Sequence, residues 1–114
     1  MSYPHSLSSL TPREAITDAV YRVLIGFDRY DISSFNSAVI EDAIFELNNG
    51  TSVVINGLSD IRTQLLDFVG PMDTSHMISN IRVDVEDGAD IAHLTAYFLA
   101  QHCPPGRGKD LDGP

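Results

Sequence analysis

The chain has 114 residues, 43% of them hydrophobic, with 7 Lys plus Arg against 16 Asp plus Glu and a net charge of -9. That length holds one domain with one modest core, and the apolar share excludes disorder throughout. So acidic a surface repels phosphate backbones, which argues against a nucleic-acid partner.

The opening MSYPHSLSSL lacks a basic region and a long apolar run, so it does not read as a secretory signal, and residues 1–10 are expected to form a loose arm. The first helix starts at Thr11-Pro12-Arg13-Glu14. Thr11 can accept from the free N–H groups of the first turn, Glu14 can reach back to the Thr11 N–H, and Pro12 stands where a missing N–H costs nothing. Ile16, Ala19, Val20, Val23, Leu24 and Phe27 follow at three- and four-residue steps as one stripe. Asp28 lies at the edge of that stripe, next to a residue that should face the core. Asp31 can cap a second, short helix running through Phe35 and Val39.

Ala43–Leu47 reads as a strand, Asn48-Asn49-Gly50 as a tight turn and Thr51–Ile55 as the returning strand. Ser59 is the expected cap of a third helix carrying Ile61, Leu65, Leu66, Phe68 and Val69, which Gly70-Pro71 ends. Two long strands are predicted next, from about Ser75 to Val85 and from about Ile91 to Cys103, turned by Glu86-Asp87-Gly88. In the first of them Thr74, His76, Ile78 and Asn80 share a face, whereas Ile81, Val83 and Val85 fall in the opposite phase. A bulge near Asn80 would reconcile the two runs. The second has apolar groups on both faces: Leu94, Ala96 and Phe98 with His102, and Tyr97 with Leu99. One face should meet the helices and the other a partner subunit or loop. Residues 104–114 read as a loop or tail around one domain spanning 11–103. Cys103 is the sole cysteine, there is no C-x-x-C or H-x-x-x-H spacing, and no apolar run approaches the length of a membrane span. No disulfide, metal ligand, cofactor or membrane association is expected, and the default location is cytoplasmic.

The stretch Thr74-Ser75-His76-Met77-Ile78-Ser79-Asn80 brings an imidazole and a carboxamide onto one face. Such a histidine is often satisfied by a backbone carbonyl and nothing more. Its neighbours suggest otherwise. Asp28-Arg29-Tyr30-Asp31 before Phe35, Glu41-Asp42-Ala43, Gly57 ahead of the third helix, His76 through Asn80, Ala92 to Tyr97 and Ala100-Gln101-His102 together resemble the SnoaL-like branch of the NTF2-like superfamily, near scytalone dehydratase and the bile-acid dehydratases. The resemblance runs from about Thr11 to His102 and rests on joint order and spacing. It implies an α+β cone, in which a curved antiparallel sheet wraps the N-terminal helices around a deep, mostly apolar pocket. It also implies that an aspartate at the end of the first long helix pairs with a histidine on the sheet, positions matched by Asp28 and His76. His102 matches a second, assisting histidine. The family's dehydratases often have a tyrosine about one turn before the aspartate; Val23 stands there instead, with Tyr21 displaced in phase. The family usually continues with two further strands and a Gly-Trp or similar close, whereas this sequence reaches Pro114 with no Trp, so a shortened fold or strands supplied by a partner are expected.

The resemblance therefore implies a cofactor-free dehydratase, isomerase or cyclase acting on a polyketide- or steroid-like molecule. Asp28 and His76 would be catalytic, with Asn80, His102 and Tyr21 as substrate contacts. The competing expectation is a non-catalytic ligand-binding or dimerisation module, since this fold hosts many non-enzymes. His93 has the opposite phase from His102, His5 lies in the arm, and Cys103 points away from its neighbour His102, so none of the three is expected to act with His76. Arg107 and Lys109 read as solvated. A homodimer or higher homo-oligomer is expected through the face bearing Tyr97 and Leu99.

Overall fold

A computed structural model describes residues 7–108; expectations for residues 1–6 of the arm, His5, Lys109 and the rest of the tail lie outside the described residues. Helix α1 spans Pro12–Asp28 and α2 spans Ile32–Ala38. The start of α1 is the reciprocal cap read from the sequence: Thr11 N–H donates to Glu14 Oε1 at 3.0 Å and Glu14 N–H to Thr11 Oγ1 at 3.2 Å. At the other end Arg29 N–H still reaches Ile25 O at 2.9 Å, and Tyr30 takes a φ of 47° that turns the chain. Asp31 then caps α2, accepting from Ser34 N–H at 3.1 Å and from the buried Ser34 hydroxyl at 2.9 Å. The two helices meet closely at Gly26, where an added Cβ would lie 2.9 Å from the Cβ of Phe35. Phe27 and Phe35 stack edge to face there, with centroids 5.4 Å apart.

Strands β1 (Ile44–Asn48) and β2 (Ser52–Asn56) form an antiparallel hairpin. The third helical region begins two residues earlier than Ser59 implied. Gly57, at φ 89°, is the cap of α3 (Leu58–Ile61) and has no side chain to contribute. In that conformation, which glycine adopts without steric cost, Gly57 N–H reaches Ala43 O at 2.7 Å and Leu58 N–H reaches Glu41 O at 2.9 Å. The region is also not one uniform helix: a π-helical turn, Arg62–Leu66, separates α3 from α4 (Asp67–Val69). At its start the Thr63 hydroxyl donates to the carbonyls of Ser59 and Asp60, at 3.2 and 3.3 Å, drawing off acceptors of the helical ladder.

Strands β3 (Asp73–Asp84) and β4 (His93–Cys103) make the second hairpin, longer at its outer end than the first strand was expected to be and shorter at the turn. The phase conflict is resolved as the sequence suggested. The register slips between Ser79 and Arg82, Asn80 adopts φ 55°, and the extra residue lets Ile78, Ile81 and Val83 all turn inward, each half-buried, while Ser79 and Arg82 stay exposed. The hairpins are not hydrogen-bonded to each other, so the one curved sheet implied by resemblance is present as two two-stranded pieces. The buried core is Phe27, Phe35, Ile55, Ile61 and Leu66, with Val23, Val39, Phe45 and Leu65 packed against it. It joins both helices, the first hairpin and the π-turn, and β3 lies against α1. Among the described residues no helix is long and apolar enough to cross a membrane.

Candidate active site

Asp28 is the last residue of α1, and a carboxylate there faces the negative end of the helix dipole. It is held by donors from β3. His76 Nδ1 lies 2.6 Å from Asp28 Oδ1, the Thr74 hydroxyl donates to the same oxygen at 2.7 Å, and the His76 backbone N–H donates to Oδ2 at 3.2 Å. A carboxylate only accepts, so Nδ1 carries the proton of that contact and the lone pair of a neutral ring sits on Nε2. The side chains are 11% exposed for His76 and 27% for Asp28, a pair shielded but not sealed. Among the described residues Nε2 has no hydrogen-bond partner, and the sole buried side-chain nitrogen or oxygen without one is Arg62 Nε. Nε2 is therefore not fully sealed from solvent.

Alternation along β3 and the pairing with β4 bring the neighbours in. His76 pairs with Ala100 and Thr74 with His102, so His102 sits diagonally across from His76 on the same face, ring centroids 5.3 Å apart at 82°. Phe27 approaches from α1, its centroid 5.7 Å from the His76 ring. Asp28 thus comes together with His76 and His102 as expected from the sequence. Two other expected contacts do not join them. Tyr21 is two turns back along α1 and lines a separate cleft of about 520 Å³ with Leu10, Arg13, Thr17, Ile81 and Val83, where the Arg13 guanidinium donates to Val83 O. Asn80 was expected on the His76 face, but it is the extra residue of the bulge and is exposed.

Thr74 was missed as part of the site. Alternation had put it on the His76 face, and its signal was acceptor capacity: a carboxylate has room for several donors and one imidazole fills only part of it. Asp28 and Thr74 line a cleft of about 450 Å³ with Met72, Asp73, Gln101 and Cys103, and His76 is not in its wall. Phe98, on the His76 face of β4, is largely exposed. Cys103 is buried and free, contacted by the Gln101 amide at 3.7 Å. His93 pairs with Asp84 at the far end of the hairpin. Among the described residues no group of three or more His, Cys, Asp or Glu side chains is arranged to hold a metal ion.

A fold of two helices, a short hairpin, a broken third helix and a long bulged hairpin, with an Asp–His pair between first helix and sheet, is that of a small α+β domain. The family model of the SnoaL-like domain matches residues 8–113. The chain is also 38% identical over 112 residues to a protein of Penicillium crustosum called terrestric acid biosynthesis cluster protein E, covering 95% of this chain and 69% of that relative. The chain belongs to the SnoaL-like domain family of the NTF2-like superfamily. No solved structure matches it.

Proposed function

We propose that the protein is a cofactor-free enzyme of polyketide-related secondary metabolism, a dehydratase, isomerase or cyclase in which His76 is the general base and Asp28 its partner. The observation that carries this is the 2.6 Å Asp28–His76 contact, which commits the Nδ1 proton and leaves Nε2 with its lone pair and no partner among the described residues. Family membership and the relative's place in a biosynthesis cluster support the small-molecule substrate. In the proposed reaction Nε2 takes a proton from a carbon alpha to a carbonyl and an enolate forms. For dehydration the enolate expels a β-hydroxyl, whose C–O bond breaks as oxygen receives a proton and leaves as water. In this reading His102, its ring centroid 5.3 Å from that of His76, carries that proton or returns one. Reprotonation of the enolate at another carbon gives isomerisation instead. Attack of the enolate carbon on a second carbonyl forms a C–C bond as the C=O π bond opens, and the resulting alkoxide takes back the proton held on Nε2, which gives cyclisation. A base so positioned contributes about 10²–10⁴-fold.

The outer face of β3 and β4 completes the proposal. Ser75 pairs with Gln101, Met77 with Leu99 and Ser79 with Tyr97, so six neighbouring positions carry no charge in a chain of net charge -9. Met77, Tyr97 and Leu99 are 58%, 70% and 65% exposed. In the proposal this neutral apolar face seats a second copy of the chain, because it is where two such acidic molecules approach with the least repulsion.

One observation favours the non-catalytic alternative: the exposed Phe98 leaves the face beside His76 open, as in a surface that binds without enclosing. Incubation with a panel of cyclic β-hydroxyketones in D2O separates the readings. Catalysis predicts enzyme-dependent loss of the α-proton signal and growth of enone absorbance, both abolished in His76→Ala. Ligand retention by His76→Ala with no proton exchange in either protein would establish the binding module in its place.

A further inference from the structure

We infer that Thr74 is a positioning residue, which holds Asp28 independently of the histidine and so fixes the tautomer of His76; the inference rests on the catalytic reading of the pair. Three donors reach the Asp28 carboxylate from β3, and two of them, the backbone N–H and Nδ1–H, belong to His76 itself. The Thr74 hydroxyl, at 2.7 Å, is the third. Without it the carboxylate is oriented only by the residue it is meant to orient. A swing of the imidazole as Nε2 gains a proton would then leave Asp28 on the single, longer contact from the His76 backbone N–H.

Thr74 is suited to the task. It is β-branched, so its χ1 is restricted, and it is locked in the ladder opposite His102, so the direction of its hydroxyl is set by the sheet and not by His76. It shares Oδ1 with Nδ1, each donor occupying one lone pair, and this leaves Nδ1–H a single geometry in which to donate. Productive orientation of a catalytic side chain needs supporting contacts of this kind, since a few tenths of an ångström of freedom is enough to spoil it.

The test uses protein with ¹⁵N-labelled histidine and requires no substrate. His76 ring signals are assigned by their absence in His76→Gln. The wild type is expected to show one tautomer, protonated at Nδ1, with a resolved downfield Nδ1 proton. Thr74→Val keeps shape and β propensity but loses the hydroxyl; the expected result is a downfield proton lost to solvent exchange and a mixture of tautomers in a protein that still melts cooperatively. Thr74→Ser restores the hydroxyl and with it the wild-type spectrum, a rescue that loss of packing would not give. Thr74→Ala repeats the deletion should the valine variant not fold. A wild-type Nδ1 signal in either hydroxyl-less variant overturns the inference, as does a serine variant that behaves like valine. Because the readout is spectroscopic, its failure is distinct from failure of the catalytic reading, which turnover by His76→Ala decides.

Discussion

His76 and Asp28 act in the proposal as one unit, and their variants should show it. Removing the imidazole in His76→Ala deletes the proton acceptor, so turnover should fall about 10²-fold or more with the fold retained. Asp28→Asn is nearly isosteric but loses the charge, and its amide can donate to Nδ1 and impose the other tautomer. A large loss is expected there too, and the double variant should be little worse than His76→Ala alone because both remove the same function. Asp28 also accepts from Thr74 and from the His76 backbone, so its replacement should lower the melting temperature as well. Turnover and melting curves measured together separate the effects: activity that merely tracks the folded fraction would mark the pair as structural. At this scale helix end and strand alternation located Asp28, His76 and His102, and the family resemblance grouped them. Thr74 escaped because nothing local says that one carboxylate will collect three donors. Tyr21 and Asn80 went astray for geometric reasons. Two helical turns separate Tyr21 from Asp28, and the bulge that repairs the strand's phase removes Asn80 from the face it was read on.

Helix α1 is set at both ends by features that can be tested singly. The Glu14 carboxyl is held below its ordinary pKa of 4.5, first by the Thr11 backbone N–H and then by the Thr11 side chain. A carboxylate lowered in the folded state stabilises it fully above the unfolded pKa and loses that contribution as pH falls through the folded one. Helicity followed by circular dichroism should therefore decline on acidification below the ordinary glutamate range, and Glu14→Gln should flatten that part of the curve. The other end depends on close approach. Gly26→Ala places a methyl 2.9 Å from the Cβ of Phe35, both on rigid helices, and should cost about 1–3 kcal/mol, read as a lower melting temperature. The contact lies two residues from Asp28, so a shift there would also disturb how Asp28 meets β3. The caps of α1 and α2 were legible in the sequence as short local patterns. The cap of α3 was not: Ser59 has the right chemistry, but Gly57 is pinned from outside the segment by Ala43 O, and tertiary hydrogen bonding overrode local preference.

For the whole molecule the decisive features are the two unjoined hairpins and the neutral outer face of the longer one. Burial of Met77, Tyr97 and Leu99 against a second copy predicts a dimer by sedimentation equilibrium, and Leu99→Glu, which adds a charge on each side of a two-fold contact, should give a monomer with a similar melting profile. A wild type that remains monomeric at high concentration would refute this face as the contact. High salt should favour the dimer, since it screens the repulsion of two chains of net charge -9 while leaving apolar burial intact.

The sequence by itself determined the order of elements, the stops and starts of the first two helices, the turn of each hairpin and the need for a bulge near Asn80. These follow from residues a few positions apart, where capping chemistry, side-chain period and backbone preference act directly. It also set an aspartate at the end of the first helix and a histidine on an inward strand face, because period alone fixes those positions. Only the tertiary structure decided that Thr74 would complete the Asp28 site, that Tyr21 would line a different cleft, that Gly57 would replace Ser59 as a cap and that the two hairpins would stand apart. Each depends on atoms distant in sequence, such as the 46 positions that separate Thr74 from Asp28, and no local pattern encodes which of several reachable partners a donor will find.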